Sequence, residues 1–179
     1  MATFTALETM SFHQLSPKLP VFHSPEEGVV HSEDPAKDVL HDFYLSPPPM
    51  VGGQIPIDVA KEVMSHWGVH WLLVMEHQHL KGILSINDIL GEAAVTLQQR
   101  RSISRDQVLS RFLMTPIDHL PCIAEEDLKY AQVGHVIETL KRCDARYLLL
   151  TASREPGSAI IGCFDRYHIN HCFHEQVFH

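Results

Sequence analysis

Positive charge is scarce in this chain: 14 Lys and Arg stand against 22 Asp and Glu, a net charge of −8 with histidine counted neutral. No long basic run occurs, so nucleic acid is not an expected partner. Long apolar runs are missing as well. Trp71 to Met75 is representative, far short of the roughly 20 residues that span a bilayer, so no membrane association is expected. The N-terminus lacks a basic region followed by an apolar stretch, the pattern of a secretion signal. The four cysteines, Cys122, Cys143, Cys163 and Cys172, include no tight Cys-x-x-Cys pair. A cytoplasmic chain with reduced, buried thiols is the expectation. There is no Gly-x-Ser-x-Gly, no Walker loop and no His-Glu-x-x-His, so an enzyme is not expected. Cys143 falls on the apolar stripe of a helix, where a thiol is inert packing rather than a nucleophile.

What the chain does have is a repeated segment. Hydrophobic residues make up 45% of it, enough for a packed core in one domain or two small ones. Ile57 to Leu90 and Val133 to Ile169 follow the same plan. Leu72-Leu73-Val74 falls over Leu148-Leu149-Leu150 at a shift of 76, and Gly82 over Gly162 at a shift of 80. The second hairpin loop is therefore four residues longer. Each copy reads β-α-β-β-α. In the first, Pro49-Met-Val51 suggests a strand closed by Gly52-Gly53, and Pro56 opens a helix. Val59, Ala60, Val63, Met64 and Trp67 give that helix one apolar stripe, and Gly68 ends it. Trp71–Met75 and Leu80–Leu84 are strands around a turn at His77-Gln78-His79, and a helix starts near Ile86 and runs to about Gln99. In the second, His119–Ala124, Arg146–Thr151 and Ala159–Phe164 are the strands. Val133, Val136, Ile137 and Leu140 are the helix stripe, and a final helix starts near Arg166. A unit used twice buries the second face of each copy against the other, so the expected fold is α/β (α+β), two repeats packed as a pseudo-twofold pair.

The expected organisation is four blocks. Residues 1–45 form an extended arm with a short helix begun by Asp34 and Pro35 and stopped by Ser46-Pro-Pro-Pro49. Residues 46–99 form the first motif, 100–111 a charged connector, and 112–179 the second motif with a C-terminal helix.

The strand-to-helix junction of the first copy, Gly82-Ile-Leu-Ser-Ile-Asn-Asp88, carries its chemistry. Gly82 allows close approach of another backbone or a ligand. Ser85 falls where free N–H groups at a helix start attract phosphate, and its hydroxyl can donate to a phosphate oxygen. Asp88 lies one turn on, on the same side, where a carboxylate can accept both hydroxyls of a ribose. The plainer reading makes Ser85 an N-cap and Asp88 a favourable charge at the helix start. Trp67 and Trp71 could stack a base, but core or interface packing is the default for them.

These residues carry a resemblance. Gly-Val-His-Trp-Leu-Leu-Val before a hairpin, then Gly82-Ile-Leu-Ser-Ile-Asn-Asp-Ile-Leu90, resembles a CBS domain, and the unit opened by Phe112-Leu-Met-Thr-Pro116 resembles its tandem partner, the two forming a Bateman module. The resemblance covers roughly residues 46 to 175. It implies a non-catalytic regulatory module that binds an adenosine-containing ligand such as AMP or ATP. Val69, His70, Gly82, Ile83, Ser85 and Asp88 would line the first site. It also implies a homodimer, with the bound state passed to an unidentified protein partner. No cofactor is required. The second site, with Arg146 and Gly162, departs from the pattern: Asp165 stands at the Ser85 position and His168 at the Asp88 position. A carboxylate there repels phosphate, so this site is expected to be degenerate. Leu73 and Leu149 stand where the family often has Pro.

Two other readings stay open. Of the 14 histidines, His168 and His171 share one helix face with Cys172 and Glu175, a mixed set suited to a transition metal. A ligand-free interaction or dimerisation module is the other. His13, His23, His31, His41, His66, His77 and His79 read as scattered surface or loop residues.

Overall fold

The computed structural model describes residues 5–6, 10–11, 30–173 and 177–178. Nine strands lie in chain order among them: β1 (Met10–Ser11), β2 (His41–Asp42), β3 (Met50–Gly52), β4 (Trp71–Glu76), β5 (His79–Ser85), β6 (Thr115–Pro116), β7 (Pro121–Ala124), β8 (Tyr147–Thr151) and β9 (Ile160–Asp165). The α-helices are α1 (Ile57–Trp67), α2 (Ile86–Leu90), α3 (Glu92–Arg101), α4 (Ser110–Leu113), α5 (Glu125–Leu128), α6 (Val133–Arg142) and α7 (Arg166–Phe173). Short 3₁₀ turns cover Ala36–Val39, Arg105–Gln107 and Ile117–His119.

The chain forms two compact units. The first-motif unit is Pro48–His119, with a sheet ordered β3-β4-β5-β6. The second-motif unit joins Met1–Pro47 to Leu120–His179, with a sheet ordered β1-β7-β8-β9-β2. This spatial division differs from the four sequence blocks. The segment around His41 is not an arm apart: it supplies the edge strand of the second motif's sheet, pairing His41 with Cys163. Thr115, expected in the second motif, supplies the edge strand of the first and pairs with Ile83. Each sheet takes its last strand from the chain that precedes the other motif, so contact order in space cannot follow contact order in sequence.

In the first-motif unit, α1 forms because Ile57, Ala60 and Met64 return at helical spacing onto β4 and β5, where Leu72, Val74 and Leu84 are buried. Burying each such side chain stabilises by about 1.5–3 kcal/mol. The buried stripe is narrower than the sequence suggested: Val59 and Trp67 lie on the exposed flank, with Trp67 64% exposed. Gly68 stops α1 at φ +64, its N–H held by Met64 and Ser65 carbonyls. His77 and Gln78 both take positive φ, which gives the two-residue turn between β4 and β5 the twist the strands need. The helix expected to run from Ile86 to Gln99 is two helices, broken at the extended Gly91.

The second-motif unit repeats this plan around Ile123, Val136, Leu140, Leu148, Ile161 and Phe164. The bulge between Val74 and Met75 recurs between Leu150 and Thr151. The left-handed residue after the helix is Asp144 in place of Gly68. Cys143, expected on a buried stripe, is half-buried at the C-cap of α6. Between β7 and α6 lies the short acidic helix α5, a segment the first-motif unit lacks.

Candidate functional site

The β5–α2 junction places the residues singled out in the first copy. Gly82 has its Cα side pressed against β6: an added Cβ would stand 2.2 Å from the Thr115 carbonyl oxygen. The close approach that selects glycine here is to backbone. The His70 carbonyl accepts the Ile86 N–H at 2.9 Å, which fixes the turn into α2 and sets exposed His70 and half-buried Val69 beside it. Ile83 is fully buried in the sheet.

Ser85 and Asp88 are brought together. The Ser85 hydroxyl donates to Asp88 Oδ2 at 2.6 Å, the Ser85 N–H donates to the same oxygen at 2.9 Å, and the Asp88 N–H donates to Ser85 Oγ at 3.2 Å. This reciprocal arrangement is a capping box, the plainer of the two readings made from sequence. Ser85 is only 3% exposed, whereas Asp88 is half-buried. The two serine hydrogen bonds take two of the roughly four acceptor positions a carboxylate has.

The equivalent junction of the second unit keeps the geometry and changes the chemistry. The Arg146 carbonyl accepts the Arg166 N–H at 3.1 Å, as His70 does for Ile86. Arg146 itself is exposed. Gly162 lies under β2, where a Cβ would stand 2.8 Å from Leu40 Cδ1. Asp165 is 5% exposed, and its Oδ1 accepts the Tyr167 N–H at 2.9 Å. It caps α7 from the position where Ser85 caps α2, so the change from Ser to Asp keeps the helix start while placing a carboxylate at the junction. Arg166 reaches back to the Leu140 carbonyl at 2.9 Å and to Asp144 at 3.6 Å.

His168 does not face this junction alone. Its ring lies 4.5 Å from that of His41 on β2. Burial, and then the neighbouring His168, lower the His41 pKa from 6.5 to about 4. His41 was read from sequence as a surface or loop residue. The register of β2 corrects that, because pairing with Cys163 sets His41 on the sheet edge with its ring against that of His168 on α7. Burial and Asp165 push the Cys163 thiol well up, against a weaker opposing hydrogen bond from the Leu148 backbone, so it stays protonated.

The histidine-rich C-terminal helix is only partly assembled as a ligand set. Cys172 Sγ lies 3.6 Å from His168 Nε2, while His171 is exposed. Glu175 lies outside the described residues. Among the described residues, no group of three His, Cys, Asp or Glu side chains is placed to hold a metal ion. Among them, too, no helix is long and apolar enough to cross a membrane.

Comparison with known proteins agrees with this build. Residues 36–95 match the family model of the CBS domain. No curated relative matches the sequence. Solved structures share the fold at low identity. A conserved protein from Pyrococcus horikoshii has 15% identity and a TM-score of 0.54, over 79% of this chain and 92% of that one. CBSX2, solved in complex with AMP, has 21% identity and a TM-score of 0.53, over 77% and 94%. TA0289 of Thermoplasma acidophilum, a CBS-domain protein, has 17% identity and a TM-score of 0.53, over 76% and 67%.

Proposed function

From a chain that carries a CBS domain at residues 36–95 and has the fold of CBS-domain proteins, we propose a non-catalytic regulatory module that binds an adenosine-containing ligand such as AMP or ATP at the first motif. The observation that carries this reading is the Ser85–Asp88 pair. It sets a hydroxyl and a half-exposed carboxylate side by side at one strand-to-helix junction, next to a glycine. Asp88 would take the ribose hydroxyls. Ser85 would turn its hydroxyl from Asp88 to a phosphate oxygen. The same fold accommodates AMP in CBSX2, at 21% identity. The second junction presents the Asp165 carboxylate in place of a hydroxyl, and that disfavours phosphate there. The module acts as a homodimer in the cytoplasm and passes its ligand state to another protein. The exposed Val59–Trp67 flank of α1 is apolar surface of the kind that a second copy covers.

A thermal-shift panel of adenine nucleotides, guanine nucleotides, S-adenosylmethionine and divalent metals tests the reading. A ligand at 100 times its dissociation constant adds about 2.7 kcal/mol of stability. Calorimetry should then count one nucleotide per chain. Two equal sites per chain, or stabilisation by zinc alone, would refute the assignment.

A further inference from the structure

The second-motif unit contains a pocket of about 790 Å³ on the helix side of its sheet, lined by none of the residues read from the sequence as a site. Its floor is apolar, with Leu40, Leu150 and Ile161. Its charged lining residues include Lys37 and Lys129 together with Asp42 and Glu125. Glu126 also lines it but is held by Arg154 at 2.7 Å.

The first-motif unit shows why the space is open. The Ser110 N–H bonds to the Ile55 carbonyl at 2.8 Å as the Ala36 N–H bonds to the Ala131 carbonyl at 2.9 Å, so Arg111 is the counterpart of Lys37. Along the matched hairpins, Glu76 is the counterpart of Ala152. In the first unit Glu76 packs against Gly53, 2.5 Å from where a Cβ would stand, and reaches Arg111 at 3.7 Å. In the second unit the carboxylate is absent because Ala152 replaces it, and Lys37 has no ion pair among the described residues. The four-residue longer connection that forms α5 adds Glu125 to the lining.

We infer that this pocket binds a small zwitterion with an apolar body, of dipeptide size, whose carboxylate takes the place of the missing glutamate on Lys37 and whose ammonium meets Asp42 and Glu125. The volume falls within the range of small-molecule sites, about 300–1,000 Å³. An apolar floor with both charges in the lining selects a ligand that carries both charges on an apolar frame. The site goes beyond the nucleotide reading and shares no residue with it.

The test uses the full chain and leucyl-phenylalanine, followed by calorimetry or chemical-shift titration. Saturable binding is expected, with the N-acetyl and the C-terminal amide derivatives each about 10-fold weaker, the loss of one charge-assisted contact. Ala152→Glu, which restores the counterpart of Glu76, should abolish binding. Lys37→Gln, at an exposed position, should bring the dipeptide and its amide to equal affinity. Neither substitution should change any response to AMP. Absence of dipeptide binding, equal affinity for the derivatives, or binding retained in Ala152→Glu would overturn the inference.

Discussion

Lowering the pH from 7 to 4.5 should remove about 2.4 kcal/mol of stability through His41 alone. Its folded pKa of about 4 lies below the ordinary histidine value of 6.5. Between those limits the unfolded chain holds a proton that the folded chain refuses. The unfolded state binds more protons, so stability rises with pH across this window and falls as the solution is acidified. The full difference between 6.5 and about 4 is worth about 3.4 kcal/mol, at about 1.36 kcal/mol for each factor of ten in proton affinity. At pH 4.5 most of it is already lost. The assay is urea unfolding at closely spaced pH values. With an m-value of about 2 kcal/mol per molar, the midpoint should drop by about 1 M on this account. Carboxylates titrate in the same range, so the reading is a comparison with His41→Thr, which installs the residue found at the equivalent position of the first unit, Thr115. The variant is less stable at pH 7 through lost packing, but its stability should depend on pH less steeply by about 2.4 kcal/mol over the window. Parallel curves for the parent and His41→Thr would refute the reasoning, because they would show that the imidazole is equally protonated in both states.

Three further substitutions test the local arguments. Gly82→Ala drives a Cβ into the Thr115 carbonyl and should cost about 2–3 kcal/mol in urea unfolding by displacing β6 from the sheet. Gly68→Ala meets nothing within 4 Å but sits at φ +64, so its cost should be backbone strain alone, about 1–2 kcal/mol by thermal unfolding. Phe164→Ala empties a fully buried site and should cost about 3–5 kcal/mol.

The elements were largely legible because their signals are local. The repeat, the Gly68 stop, the His77–Gln78 turn and the stripe of α6 each rest on residues close in sequence. The Ser85–Asp88 pair was legible for the same reason: two residues three apart at a helix start lie side by side. Its capping geometry was one of two readings that the spacing allowed, and only coordinates could show which hydrogen bonds form. The exposed flank of α1 was misjudged because Val59 and Trp67 are apolar by type, while their burial depends on what packs beside the helix.

By itself, then, the sequence determined the two β-α-β-β-α units, their common ancestry of pattern, and the difference between Ser85 and Asp165, because periodicity, turn chemistry and residue type act over a few residues. Tertiary structure alone decided which chain segment closes each sheet, since β2 and β6 pair with strands far away in sequence. That pairing sets the half-buried His41 ring against His168. It also sets Lys37 and Ala152 in the lining of one pocket, where the other unit pairs Arg111 with Glu76. Long-range strand pairing is fixed by the burial of a whole face at once, so no single segment carries its signature.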